Sequence, residues 1–181
     1  MSVNWFKGLK VLDLGQGISA PFCAKLFADL GATVIKVEPP EGDYSRTLGP
    51  FPNDVPDIEA SGTFLGVNTN KSGLVLDIKT DTGKQILLDL VKSSDIVVES
   101  FVPGYLDDLG LGFESLSKEN PMLIMTSVSP YGQSGPWAKY EASNLIISNL
   151  SGHSMEHPCL LYTSDAADEG LGVDLGGRRI I

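Results

Sequence analysis

Histidine and cysteine are scarce in this chain of 181 residues, with two of each. Cys23 and Cys159 make no disulfide framework, and no metal is expected. Basic residues are also few. Lys and Arg number 13 against 23 Asp and Glu, a formal charge of −10. Such a chain repels phosphate backbones, and its Lys and Arg form no basic run, so nucleic acid is excluded as a partner. Long apolar runs are missing as well: no stretch approaches the ~20 residues of a membrane span. Met1 to Lys10 has neither a continuous apolar segment nor a small-residue cleavage site, so no signal peptide is expected. What is present is ample apolar material, 42% hydrophobic against 20% charged, enough for a packed core. A cytoplasmic globular protein is the expectation.

Lys10 to Leu14 (KVLDL) reads as a buried strand that stops at Gly15. From Pro21, the residues Phe22, Cys23, Leu26, Phe27 and Leu30 fall at helical spacing, and Gly31 closes the helix. Thr33 to Val37 is a second strand, ended by Pro39 and Pro40. Strand, helix and strand at this spacing make a right-handed βαβ unit. Glu41 to Asn70 reads as a long excursion. Leu74 to Ile78 is the next strand. Thr80 to Ser93 is an amphipathic helix with Ile86, Leu87, Leu90 and Val91 on one face. Asp95 to Val98 is a strand, Pro103 to Leu109 a helical turn, Met122 to Val128 a strand, and Glu141 to Leu150 a final helix. The alternation predicts a Rossmann-like α/β fold, an open parallel sheet with helices on both faces.

Gly15-Gln16-Gly17-Ile18-Ser19-Ala20 fits G-x-G-x-x-A between a strand and a helix, and Glu38 ends the second strand where a ribose-binding acid would sit. Taken alone, these residues suggest an NAD-dependent oxidoreductase. A tight turn that simply needs small residues explains them equally well.

The wider pattern resembles another family. GLKVLDL, GISAP and LFADLGATVIKVEPPEGDYSR resemble the opening of family III coenzyme A transferases, the family of formyl-CoA transferase, carnitine CoA-transferase and α-methylacyl-CoA racemase. The resemblance continues in order through NTNKSGLVLDIKT, DIVVESFVPGYLDDLGLGFESL and TSVSPYGQSGPWAKYEASNLIISNLSG, from Leu9 to Gly152. It implies that the first turn serves coenzyme A. By resemblance, Gln16, Gly17 and Ile18 lie at the thioester end. Leu76, Ile78 and Lys79 match positions around the adenine and phosphates, and Ser100, Phe101 and Tyr105 match the loop that wraps the nucleotide. Core packing is the plain alternative for Leu76 and Ile78, and a solvated surface for Lys79 and Tyr105. Lys139 reads as simply exposed, and His153 and His157 as surface residues. Val102, Asp108 and Pro39 depart from the family, some of whose members carry arginine at those places. The racemase branch has a histidine in the segment matching Ala142-Ser143-Asn144; its absence here disfavours a racemase.

The resemblance also implies a mechanism. An aspartate carboxylate attacks the acyl-CoA thioester to give a mixed anhydride and free CoA thiolate. The thiolate returns to form an aspartyl-CoA thioester, and a small carboxylic acid then takes the CoA. Covalent catalysis of this kind divides one acyl exchange into easier steps. Backbone N–H groups from Gly15 to Ser19 are expected to stabilise the oxyanion. The family's aspartate lies beyond the segment matching Ser151-Gly152, so no catalytic residue is assigned in this chain. The full-length parent is expected to be an interlocked homodimer.

From Cys159 onward no helical or strand period carries through. Cys159 to Glu169 back-translates into one half of a transposase-type sequencing adapter, and Val173 to Ile181 into its far end in the same frame. Glu169 to Gly172 then span the variable index. We therefore divide the chain into an incomplete CoA-binding domain, 1–158, and an adapter-derived tail, 159–181. Asp174 falls near the expected place of the nucleophile by chance and is not assigned as catalytic.

Overall fold

The structure, a computed structural model, describes residues 4–152. These fall into two units that divide between Lys139 and Tyr140.

The first unit is built on five strands: β1 (Lys10–Asp13), β2 (Thr33–Glu38), β3 (Ser72–Val75), β4 (Ile96–Glu99) and β5 (Ile124–Ser127). All pair in parallel, in the order β3-β2-β1-β4-β5. The central strands bury apolar residues on both sides, as a doubly covered parallel sheet requires. On one face lies α1 (Ser19–Asp29). Its Ala20, Ala24 and Ala28 recur every fourth residue, and these small side chains let the helix settle onto Val11, Val34, Ile96 and Val98. The chain leaves α1 through Gly31 at φ +100°, a left-handed conformation that glycine adopts without strain.

The other face carries α3 (Asp81–Lys92) and α5 (Phe113–Glu119). Leu87, Val91 and Leu116 pack there against Leu12, Leu14, Val37 and Val97. Thr80 caps α3, its hydroxyl accepting from the Gly83 N–H. Two short helices complete the unit, α2 (Gly62–Asn68), beside α1, and α4 (Tyr105–Asp108). In the second unit, the described residues hold α6 (Asn144–Leu150).

The alternation of strands and helices, the parallel sheet and the two covered faces are as expected. Four details differ. The third strand is Ser72–Val75, not Leu74 to Ile78. Asp77 turns the chain instead, its carbonyl accepting from the Thr80 N–H and its carboxylate from the Lys79 N–H. Ile86 does not join the buried face of α3; it is 41% exposed, and only Leu87 and Val91 of the four expected residues are fully covered. The excursion from Glu41 to Asn70 contains α2, whose single turns of apolar residues are too short to show a period. α5, likewise, is too short to be read from periodicity. The tail from Cys159, with His153, His157 and Asp174, lies outside the described residues.

Candidate functional site at the strand ends

In this strand order the chain turns outward in opposite directions after β1 and β4. Open α/β sheets bind ligands beyond the carboxyl ends of the strands at that point. Two loops meet there. The Gln16 N–H donates to Ser100 Oγ at 3.0 Å, and Ser100 Oγ donates back to the Gln16 carbonyl at 3.2 Å. Two residues 84 positions apart in sequence, each a candidate on its own, are thus tied directly together.

A cleft of about 100 Å³ opens beside this junction. Five of the nine candidates line it: Gln16, Leu76, Ile78, Lys79 and Tyr105. Leu14, Val37 and Pro39 add apolar wall, and Glu41 and Asp77 add negative charge. Leu76 is buried and belongs to the hydrophobic core, so core packing and cleft lining coexist at that residue. Lys79 is exposed. Tyr105 is half-buried and stacks on Phe101, ring centroids 4.9 Å apart. Phe101 thus stands behind the cleft wall and does not line it. Neither Gly17 nor Ile18 lines it. Gly17 is buried, with the Tyr44 phenol lying over it, and Ile18 is 55% exposed just before α1. Lys139 is exposed.

A larger cleft, about 240 Å³, lies between β4, β5 and the α4–α5 segment. It is lined by Glu99, Leu106, Phe113, Met125 and Ser127 among others, and none of the nine candidates reaches it. Size alone favours this second cleft. Position beside the β1–β4 junction and convergence of separate loops favour the first.

Beneath the first turn is a buried ionic cluster that sequence reasoning missed. Lys36 Nζ donates to the Gly15 carbonyl and to Asp43 Oδ2 at 2.8 Å. Asp43 Oδ1 accepts from the Gly17 N–H at 2.9 Å and from the backbone and hydroxyl of Ser45. Asp13 accepts from the Gly15 N–H and from Lys71 Nζ, which also donates to the Pro21 carbonyl and to Asn68. Burial would push the Asp43 carboxyl up, but the Lys36 ammonium and the Gly17 and Ser45 N–H groups outweigh it and hold it below the usual carboxylate range. Burial holds the Lys71 ammonium below its usual range against the pull of Asp13. Burial, then the Asp13 charge, push the Cys23 thiol up, leaving it a poor nucleophile. The available signal was a lysine inside an apolar strand, TVIKV: a charge at a doubly covered strand position calls for buried partners.

This cluster changes two expectations. The N–H groups of Gly15, Gln16 and Gly17 are all spent on Asp13, Ser100 and Asp43. None of the three is free to stabilise an oxyanion. Glu38, in turn, is gripped by Arg46, Nε to Oε2 at 2.7 Å and Nη2 to Oε1 at 3.0 Å, and accepts from the Asp43 N–H. Its carboxylate is buried and committed, not poised for a ribose. The dinucleotide reading loses its acid.

The family model for CoA-transferase family III matches residues 6–157. The chain belongs to CoA-transferase family III. Among curated relatives, it is 44% identical over 147 residues to succinyl-CoA:(R)-benzylsuccinate CoA-transferase subunit BbsE of Thauera aromatica, covering 81% of this chain and 36% of that protein. It is 42% identical to acetyl-CoA:oxalate CoA-transferase of Acetobacter aceti, covering 83% and 38%. A CaiB/BaiF family protein from Brucella suis superposes with a TM-score of 0.74 at 36% identity, over 81% of this chain and 39% of that one. The chain thus spans about a third of the length of these curated relatives. Nothing in the comparisons favours an oxidoreductase.

Among the described residues, no group of three His, Cys, Asp or Glu side chains is placed to hold a metal ion. No helix among them is long and apolar enough to cross a membrane.

Proposed function

We propose that this chain is the acyl-CoA-binding part of an enzyme that moves coenzyme A between an acyl-CoA thioester and a small carboxylic acid. The observation that carries this reading is the cleft at the strand ends, where five candidate residues from three separate segments, after β1, β3 and β4, converge in a family III fold. Leu76, Ile78 and Tyr105 present apolar and aromatic surface suited to adenine, with Phe101 stacked behind Tyr105 to fix its ring. Lys79 is the cation at the cleft and meets a phosphate. Gln16, the one residue of the first turn that lines the cleft, faces the pantetheine and thioester end, and Ser100 holds it in register. These residues bind and orient. The nucleophilic aspartate is supplied by the parent beyond the segment matching Ser151-Gly152, and Asp174 takes no part. In this reading, residues 1–158 are the CoA-binding domain and 159–181 the adapter-derived tail. The parent works in the cytoplasm as an interlocked homodimer.

Titration calorimetry tests the binding: the chain is expected to bind CoA and not NAD. Exchange of CoA between a labelled acyl-CoA and a panel of carboxylic acids tests the chemistry. We expect no turnover by this chain and turnover by a full-length relative. Turnover that disappears in Asp174→Ala would overturn the assignment of the nucleophile.

A further inference from the structure

The buried cluster under the first turn has a geometry that a merely structural ion pair does not need. Two of its charges reach past each other to the backbone of one loop. Lys36, on β2, donates to the Gly15 carbonyl, and Asp43, in the loop after β2, accepts from the Gly17 N–H. The two then bond to each other, Nζ to Oδ2 at 2.8 Å. Gly15 to Gly17 is therefore gripped at both ends by one ion pair. Both side chains are at most 2% exposed. Gly17 sits at φ +77°, and a Cβ there would overlap the Tyr44 phenol oxygen. Tyr44 follows Asp43 directly, so the segment that supplies the acceptor also lays a ring on the turn. Burying two charges is costly, and an apolar pair of similar volume would hold the core as well or better.

We propose that Lys36 and Asp43 are positioning residues, a charged clamp that sets the backbone of Gly15 to Gly17 and so the placement of Gln16 in the ligand cleft. Gln16 is the one residue of the turn that lines the cleft. It lies between the two clamped glycines, and its own backbone is fixed on the far side by Ser100. The clamp thus sets one wall of the cleft without touching the ligand. The part concerning coenzyme A rests on the function proposed above.

The test compares the double variant Lys36→Met/Asp43→Leu with Ile96→Ala. The first removes both charges while keeping apolar volume. The second opens a cavity at the start of β4, in the core cluster under α1, which shares no residue with the cleft lining, and serves as a destabilised control. CoA affinity is measured by calorimetry well below the melting temperature of each protein, and amide resonances of Gly15, Gln16 and Gly17 are followed by NMR. The double variant is expected to bind CoA at least tenfold more weakly and to shift all three amides. Ile96→Ala is expected to bind within twofold of the wild type with those amides unmoved. Asp43→Asn keeps the side-chain volume and one acceptor; should the double variant not fold, this variant must show the same amide shifts and weakened binding. Unmoved amides, or wild-type affinity in the clamp variants, would overturn the proposal. If the wild type itself binds no CoA, the functional reading fails, and the amide shifts alone decide the clamp.

Discussion

Gly17 shows how much one missing Cβ decides. Its φ of +77° is costly for any L side chain, and the Tyr44 ring occupies the space a methyl would need. Gly17→Ala should cost about 1–2 kcal/mol from the left-handed backbone alone, and should weaken CoA binding because the turn must move. Urea unfolding and calorimetry on the same variant check both effects; unchanged values of both would contradict the left-handed cost and the movement of the turn. Carboxylates in the same region set the acid limit. Asp43 and Glu38 are both held below their ordinary range, the first by Lys36 and backbone N–H groups, the second by Arg46 and the Asp43 N–H, each against the opposing effect of burial. A depressed carboxylate stabilises the fold at pH above its unfolded pKa, about 4. That contribution is lost as pH falls through the folded value. Thermal melts should therefore hold from pH 7 to 5 and drop steeply below about 4, and Glu38→Gln should blunt the drop.

At the scale of elements, α3 separates pattern from packing. Ile86 and Leu87 are adjacent, and both fit an apolar stripe in the sequence. Leu87 is fully buried between Leu12, Val97 and Leu116, whereas Ile86 is 41% exposed. Leu87→Ala should cost about 2–5 kcal/mol, the range for a large-to-small change in a tight core. Ile86→Ala should stay within about 0.5 kcal/mol. Chemical denaturation with matched m-values checks the pair, and equal losses would contradict the packing of this helix. Thr80 is a second element-scale determinant. It caps α3 and does not belong to it, and Thr80→Ala should cost about 1 kcal/mol through the orphaned Gly83 N–H.

At the scale of the whole molecule, the first unit presents an open sheet. Among the described residues β5 is an edge strand, with Ile124 59% exposed on it and Met122 85% exposed just before it. An unpaired edge bearing apolar side chains invites pairing with other copies. Ile124→Lys should raise the concentration at which the protein aggregates and leave the melting temperature nearly unchanged; light scattering during a thermal ramp reads both. On the adapter reading of 159–181, deletion of that tail should leave stability within about 0.5 kcal/mol. A larger loss on unfolding by denaturant would show that the tail packs.

Local pattern in the sequence determined the βαβ opening, the parallel α/β class and the family. Strand runs such as KVLDL and TVIKV, a helix bracketed by proline and glycine, and glycine-rich turns are all short-range signals. Candidate residues were legible one loop at a time: Gln16 after β1, Leu76 to Lys79 after β3, and Ser100 to Tyr105 after β4. Only the tertiary structure decided which of them meet. It placed Gln16, Leu76, Ile78, Lys79 and Tyr105 around one cleft and set Phe101 behind it. It also gave Glu38 to Arg46 and the Gly17 N–H to Asp43, removing the ribose acid and one of the oxyanion donors that the sequence had offered. The reason is physical. Whether a polar group is free depends on its partners, and the partners here lie up to 84 residues away, brought close by strand order. Periodicity reports which face a residue occupies, but it carries no information about what waits there.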